Sequence, residues 1–402
     1  MFRTMKAASK RWLPLSILAL ISLNACEENT TVGVDFIQES GIQVDTLFID
    51  SVELVAVDPY LGQLSYSAIG AFNDPLYGEV KGTAYFKPSI NASNTDTILD
   101  HMQLQLRLHV MEEEIYGDTT VAGEFEVYRI TNDWHGPSFR QSTPMNLGAE
   151  LIGSFTDADA DTNGNIHIPL GGSWDTLYRE LFNTDDDSTR LTRYENEDYG
   201  LAIVPKEPTN NVRFATFSTS RLLIIGREDT SSFGIQDWAY QLERNENEPI
   251  EDRLILHNTF EQVVKLDLQS IVNQLPNTNF IRAELVLEED TTRKFTSLGE
   301  HEIRLAVPGY RLSEGNFIDL AYQFGFSDNN IINGYPLDGR FRFEMTRVFN
   351  EQIYNNNPIK SSYLYPFMGS GYVGSNILYD VDANSPKRPR LVIHSIRSEE
   401  GQ

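Results

Sequence analysis

The sequence has a single cysteine, Cys26, among its 402 residues. One cysteine cannot close a disulfide within the chain, so packing and hydrogen bonds alone must hold the fold together. A chain of this length can bury enough apolar surface to do so, and it suggests two domains of about 100–200 residues each. A lone cysteine therefore calls for an explanation other than a disulfide.

Basic residues are also scarce. The chain has 32 Lys and Arg against 58 Asp and Glu, a formal net charge of −26. A surface of this sign repels phosphate backbones and anionic lipid headgroups. The composition therefore excludes nucleic acid as a partner, and it argues against membrane binding through basic patches.

Recognisable catalytic motifs are missing. The chain has no G-x-S-x-G elbow, P-loop, H-E-x-x-H or C-x-x-C sequence, and its seven histidines are scattered. The acidic run 185–187 offers carboxylates, but a glycosidase needs two of them held across a cleft. We therefore predict a protein that is not an enzyme, with a glycan hydrolase as the last alternative.

The N-terminus has the order of an export signal. Four bases and no acid precede an apolar run at 12–23, which is too short to span a bilayer comfortably. The run ends in Leu23-Asn24-Ala25-Cys26, which resembles the bacterial lipobox. We predict that residues 1–25 are a signal peptide and that Cys26 carries lipid. Several acyl chains on one cysteine give stable anchoring.

The residues behind the cysteine bear on location. Glu27 and Glu28 follow Cys26 directly. In Bacteroidota lipoproteins, acidic residues at this place look like the signal for export to the outer face of the outer membrane. We expect residues 26–42 to be a tether and the protein to face the cell exterior, with the periplasmic face of the same membrane as the alternative.

Beyond residue 43 the pattern is that of strands. Residues 102–110 alternate strictly between apolar and polar side chains, which indicates a strand with one wet face. Helix signals are few, and Ser173 is placed to cap a short helix whose apolar positions run from Trp174 to Phe182. These patterns predict an all-β protein of antiparallel sandwiches with a few short helices.

Three landmark segments recur in the same order in both halves of the chain. Residues 102–106, 125–130 and 220–225 match residues 283–287, 302–307 and 389–394. The repeat predicts two jelly-roll-like β-sandwich domains at 43–227 and 249–397, joined by a linker region at 228–248.

The middle landmark and a turn motif carry a resemblance to known proteins. Residues 126–134 resemble part of the jelly-roll modules found in some carbohydrate-binding families. The leader and Asp74-Pro75-Leu76-Tyr77-Gly78 together resemble a Bacteroidota outer-membrane lipoprotein family of unknown function. That resemblance implies a lipid anchor and a β body, and it implies no activity. The residues themselves favour a tight turn at 74–78.

Two segments are candidate binding sites. Asp159, Asp161 and Asn163 resemble the first half of a calcium loop, although Leu170 stands where the bidentate glutamate would be, and a hairpin turn at Asn163-Gly164 explains the same residues. Trp134, beside Asp133 and His135, suits stacking on a sugar ring, whereas a packed core tryptophan is the alternative. Calcium is the only cofactor that the sequence suggests.

Taken together, these features predict an accessory or scaffold lipoprotein that docks on an outer-membrane barrel protein or transporter, in nutrient transport or in assembly. The alternative is a lipoprotein that binds polysaccharide.

Replacing the lipidated cysteine tests the anchor. We expect Cys26→Ala to block lipid attachment and signal cleavage, since both depend on the thiol, and to remove the protein from the outer-membrane fraction. Membrane fractionation and intact mass measure the two effects. A variant that still fractionates with the outer membrane would show that Cys26 is not the anchor.

Overall fold

The computed structural model describes residues 42–396, apart from 91–96, 113, 207–209, 246–249, 260, 269–270, 272–273, 275–279, 294–302, 308–330, 356–360 and 367–370. Cys26, Glu27 and Glu28 lie outside the described residues. Their predicted roles therefore stay predictions.

Strands dominate the described chain, and every pair among them is antiparallel, which confirms the predicted all-β fold. The strands are β1 (Ile42–Phe48), β2 (Val52–Ala56), β3 (Ser67–Asp74), β4 (Gly78–Pro88), β5 (Gln103–His109), β6 (Tyr116–Gly117), β7 (Glu124–Ile130), β8 (Leu147–Thr156), β9 (Asn165–Leu170), β10 (Leu201–Lys206), β11 (Asn211–Ala215), β12 (Arg221–Ile225), β13 (Thr230–Phe233), β14 (Ile235–Asn245), β15 (Arg253–His257), β16 (Gln262–Asp267), β17 (Phe280–Glu288), β18 (Ile303–Ala306), β19 (Ile331–Leu337), β20 (Arg340–Glu344), β21 (Ser361–Pro366), β22 (Ser375–Tyr379) and β23 (Arg390–Ile396).

Helices are short and few in the described residues. They are α1 (Gly172–Phe182), α2 (Asp187–Glu197) and α3 (Thr346–Asn355), with 3-10 turns at Gly136–Ser138, Asp157–Asp159 and Thr291–Arg293. None of the helices in this part of the chain is long and apolar enough to cross a membrane.

The first sandwich packs two sheets on one core. An eight-stranded sheet has the order β6-β11-β3-β4-β10-β7-β8 with β14 added beside β4, and a four-stranded sheet has the order β13-β12-β5-β9. The alternation of β5 sends Leu104, Leu106 and Leu108 into the core, while the intervening polar residues lie on the outer face. Each buried leucine contributes about 1.5–3 kcal/mol relative to an exposed one.

The predicted helix beside this core is present, but its start differs from the sequence prediction. Helix α1 begins at Gly172 with Gly171 as its N-cap, and Ser173 is inside it. The carboxylate of Glu150, on β8, accepts the Ser173 N–H at 3.1 Å. A negative group at a helix N-terminus pairs with free N–H groups and interacts favourably with the positive end of the helix dipole. The capping group therefore comes from the neighbouring strand β8 and not from Ser173.

The second sandwich is one nine-stranded sheet that folds over on itself. Its order is β1-β23-β17-β20-β19-β18-β21-β16-β2. The turning point is β19, which pairs with β18 through residues 331–334 and with β20 through residues 335–337. Leu285 and Phe343 on one layer and Leu305 and Leu364 on the other meet in a single core. A separate pair, β15 with β22, packs beside it.

Both ends of this sheet come from the start of the described chain. Strand β1 pairs with β23 and β2 pairs with β16, although the predicted boundaries assign residues 43–56 to the first domain. The predicted linker region 228–248 contains β13 and β14, which pair with β12 and β4 of the first sandwich. Hydrogen-bonded pairing between distant segments, which local patterns do not reveal, decides these assignments.

The internal repeat has a structural counterpart in each sandwich. The first and last landmark strands are antiparallel neighbours in both, as β5 with β12 and as β17 with β23. Leu106 faces Leu222 in one pair, and Leu285 faces Leu391 in the other.

The two sandwiches share apolar contacts. Tyr372, from the second half of the chain, stacks on Tyr66 at 4.3 Å between ring centroids and meets Phe214 edge-on at 5.0 Å. The next residue, Val373, is buried in the first core. Such aromatic pairs add about 0.5–1.5 kcal/mol each beyond the area they bury.

The turn motif at 74–78 closes the hairpin between β3 and β4, as the sequence predicts. Asp74 is fully buried, and its carboxylate accepts the N–H groups of Leu76 at 2.7 Å and Tyr77 at 3.0 Å and the hydroxyl of Tyr116 at 2.6 Å. Gly78 has φ +85°, a conformation that favours glycine. Tyr77 meets His257 of β15 edge-on, so the motif also contacts the second half of the chain.

A substitution at Ile49 tests whether β1 and β2 belong to the second sandwich. Ile49 lies between the two strands, and its side chain is fully buried in the second core. We expect Ile49→Ala to lower the free energy of unfolding by about 2–5 kcal/mol, through lost burial and the cavity that remains. The exposed Val44→Ala is the matched control and should change it by less than about 0.5 kcal/mol. Hydrogen exchange should show lost protection in β23 and β16 before β5, and equal loss in both sandwiches would contradict the assignment.

Candidate functional site

Trp134 follows β7 and is half-buried. Its indole N–H donates to the carbonyl of Tyr199 at 2.7 Å, and its ring meets Phe139 edge-on at 5.6 Å. The ring therefore packs against the first core, while its neighbours Asp133 and His135 are exposed. This environment suits a packed tryptophan, and only the remaining exposed part of the ring is open to a sugar.

A buried charged group lies near the Trp134 loop. The ammonium of Lys87 is 4.5 Å from the centroid of the Tyr194 ring and 3.4 Å from the Tyr194 carbonyl. Burial lowers the pKa of Lys87, while the carboxylates of Asp198 and Asp237 oppose that shift. Asp237 also accepts the Gly136 N–H at 3.1 Å. The carboxylate thus positions the loop that carries Trp134.

The predicted calcium segment forms a turn before β9, but this turn does not close a hairpin, because β8 pairs with β7 and β9 pairs with β5. The Oδ1 atom of Asp161 accepts the N–H groups of Asn163 at 2.8 Å and Asn165 at 2.9 Å. These two N–H groups, that of Asn165 first, lower the pKa of Asp161. Gly164 takes φ +71°. The structure therefore shows a turn at Asn163-Gly164, as part of the alternative predicted, but the turn connects strands of two different sheets.

Asp159 serves a different turn. Its Oδ2 atom accepts the Thr156 N–H at 2.8 Å, in the 3-10 turn that precedes the Asp161 turn. Within the described residues, no cluster of three or more His, Cys, Asp or Glu side chains is spaced to hold a metal ion. Calcium at Asp159, Asp161 and Asn163 stays a prediction that calorimetry with millimolar calcium would check.

The acidic run 185–187 has a structural use. Asp186 is the N-cap of α2, where its carboxylate accepts the Thr189 N–H at 2.8 Å. An aspartate in this position satisfies one of the four free N–H groups of the first turn.

Both strands that end the sheet of the second sandwich carry exposed apolar residues. In the sheet order of the described residues, β1 and β2 are the terminal strands. Ile42 and Val44 of β1 are 62% and 55% exposed, and Leu54 of β2 is 52% exposed. Neither strand contains lysine or proline, the residues that commonly protect an edge from further pairing.

Sequence reasoning missed a ladder of arginines and glutamates across β17, β20 and β23. Glu284 accepts from Arg282 at 2.6 Å and faces Arg342 at 3.5 Å, and Glu288 accepts from Arg390 at 2.5 Å and faces Arg340 at 3.5 Å. The detectable signal was the alternation Arg340-Phe341-Arg342-Phe343-Glu344. It predicts a polar face on that strand, but not which residues oppose it.

Comparisons with known proteins give no family for this chain. No family model matches the chain, and no curated protein matches it. Among solved structures, one alignment is to the structure of infectious bursal disease virus, Gx strain. It covers 89% of this chain and 77% of that chain at 10% identity, with a TM-score of 0.10, which is too low to support any argument.

The Asp161 turn makes stability depend on pH. Its pKa is lowered in the folded state, so its contribution is present above the unfolded pKa of about 3.9 and is lost as pH falls through the folded value. We expect Asp161→Ala to lower the melting temperature at neutral pH, and to lower it less once the pH is below about 3. Thr162→Ala, in the same exposed turn, is the control. An effect of Asp161→Ala that does not change with pH would contradict this role.

Proposed function

We propose that the protein is a non-enzymatic, lipid-anchored interaction protein of the outer membrane, which docks on a barrel complex for transport or assembly. The observation that carries the proposal is that the nine-stranded sheet ends on both sides in strands with exposed branched apolar residues. The lipid on Cys26, proposed from the sequence, would keep these strands close to integral membrane proteins.

Terminal strands of this kind suit recognition of another chain. An added strand gains backbone hydrogen bonds from the edge, and alternate side chains supply specificity. Exposed apolar residues at such an edge are a cost for a protein that stays alone, because the same groups promote unwanted pairing. A scaffold, unlike an enzyme, needs no reactive side chains, and the buried acids can be explained without catalysis. Asp74, Asp157 and Asp198 accept hydrogen bonds from backbone N–H groups, which gives them structural roles.

Strand β2 offers a clean test of docking through an edge. We expect Leu54→Lys to reduce recovery of the partner when the protein is pulled down from native outer membranes in mild detergent, since a charged side chain opposes desolvation of the edge. Leu191→Lys is the matched control, because Leu191 is an exposed leucine on α2, in the first sandwich.

The two variants separate the possible results. Loss with Leu54→Lys alone supports docking at β2. Equal recovery from both variants would remove β2 from the interface. Recovery of no barrel protein with the unaltered chain would contradict the proposed function itself.

The residues behind the anchor determine which partners are reachable. We expect external protease to digest the protein on intact cells, because Glu27 and Glu28 would direct it to the outer face. Glu27→Ala combined with Glu28→Ala should leave the protein anchored but protected, and Glu39→Ala, further along the tether, is the control. Protection of the unaltered protein until cell lysis would place it on the periplasmic face.

Glycan binding is the second candidate, and the half-buried Trp134 beside exposed Asp133 and His135 is the observation that favours it. Aromatic faces with nearby polar groups suit sugar rings. Polysaccharide binding should then fall with Asp133→Ala and His135→Ala, which spare the packed indole. Unchanged binding with both variants would exclude this surface.

A further inference from the structure

The outer face of one layer of the second sandwich differs in charge from the rest of the chain. In this layer, Leu285 and Leu391 point into the core, so the residues that alternate with them point outward. Arg342 lies opposite Val286, and Arg340 lies opposite Glu288. Opposite residues of paired strands share a face. The outward set therefore follows from register, and it includes Arg282, Glu284, Glu288, Arg340, Arg342 and Arg390.

On this face the positive charges are exposed and the glutamates that pair with them are buried. The side chains of Arg282, Arg340 and Arg342 are 54%, 47% and 44% exposed. The carboxylates that pair with them, on Glu284 and Glu288, are only 7% and 8% exposed. Glutamates thus lie beneath and guanidinium groups above, while Glu344 on β20 and Asp338 in the turn between β19 and β20 are exposed acids beside them. The chain as a whole has a net charge of −26, so a surface whose outer groups are arginines is a local exception.

Apolar side chains surround the arginines. Val44 lies on β1, and Leu337, at the end of β19, is 66% exposed. Arg388 stacks over the ring of Phe48 at 4.0 Å, which adds a further cation at the same side. Interleaved guanidinium and aliphatic groups match the boundary between lipid phosphates and acyl chains, where arginine reaches phosphate while its stem stays among apolar groups.

We propose that this arginine face rests on the anionic membrane surface to which the chain is anchored, with guanidinium groups on lipid phosphates. The inference rests on the proposed lipid anchor. Strand β1 belongs to this layer, and only 16 positions separate Ile42 from Cys26. A chain of that length reaches at most roughly 55 Å, so β1 stays near the bilayer. Each cation near an anionic surface strengthens the contact about fivefold.

This face refines the prediction from composition. Net charge determines the field at long range, whereas contact within a Debye length, about 10 Å, depends on the local groups. A protein that is acidic overall can therefore be held by lipid and still turn one cationic face toward the membrane.

The test uses the full-length lipidated protein, purified from outer membranes and placed in vesicles. Because Cys26 is the only cysteine and carries lipid, Leu337→Cys supplies a unique thiol for an environment-sensitive dye. Leu191→Cys, on α2, is the control position. The vesicles are phosphatidylethanolamine with phosphatidylglycerol, or phosphatidylcholine alone, and spin-labelled lipids act as quenchers.

In the anionic vesicles, we expect spin-labelled lipid to quench the dye at position 337 several-fold more than the dye at position 191. This difference should disappear in phosphatidylcholine vesicles or in about 0.5 M salt. Val44→Glu adds an acid to the face without removing a partner of Glu284 or Glu288, and it should reduce the quenching about fivefold or more. Arginine replacements are avoided because they would leave buried carboxylates unpaired.

Other outcomes separate this inference from the proposed function. A protein that stays out of the vesicles, with Cys26 free to react with the dye, would refute the lipid anchor. An anchored protein with water-like emission at Leu337, or with quenching independent of lipid charge, would overturn the arginine face. Protection of Leu337 only when an acidic outer-membrane protein is added would assign the face to a protein partner instead.

Discussion

Ile49 is buried where the chain passes from one layer of the second sandwich to the other. Strand β1 before it pairs with β23, and β2 after it pairs with β16. The N-terminal segment therefore supplies the terminal strand of both layers. In a chain with no disulfide, these hydrogen bonds and this apolar contact tie the start of the body to its end. Both proposed interaction surfaces depend on that closure, because β2 is the proposed docking strand and β1 supplies Val44 and Phe48 to the arginine face.

The placement of charge follows from the same packing. The chain has more acids than bases, and some of its acids are buried. Buried Asp74 and Asp157 accept hydrogen bonds from backbone N–H groups in turns. On the outer face of the second sandwich, buried Glu284 and Glu288 require counter-charges, and arginines on the neighbouring strands supply them. A buried carboxylate without a partner would cost several kcal/mol, so the arginines cover it and keep their outer N–H groups in water. A cationic surface results from the need to pair glutamates.

These features fit an anchored scaffold better than a catalyst. The exposed groups that stand out are strand edges and an arginine face, both suited to holding a position against a membrane and another protein. Trp134, Asp161 and Asp186 each have a structural use in the described residues, as a packed ring, a turn stabiliser and a helix cap. Strand β2 and the arginine face both belong to the second sandwich, and its single core links the two layers that carry them.

The amino-acid sequence by itself determined the local features. The alternation at 102–110 determined β5 and its buried face, Asp74-Pro75-Leu76-Tyr77-Gly78 determined a turn, and Asn163-Gly164 determined another, because each depends on residues close in the chain. Only the tertiary structure decided that β1 and β2 belong to the second sandwich, that Glu150 caps α1, and that Arg340 and Arg342 lie over Glu288 and Glu284. Those outcomes depend on which distant segments pair and in what register, and a strand's own side chains specify its faces but not its neighbours.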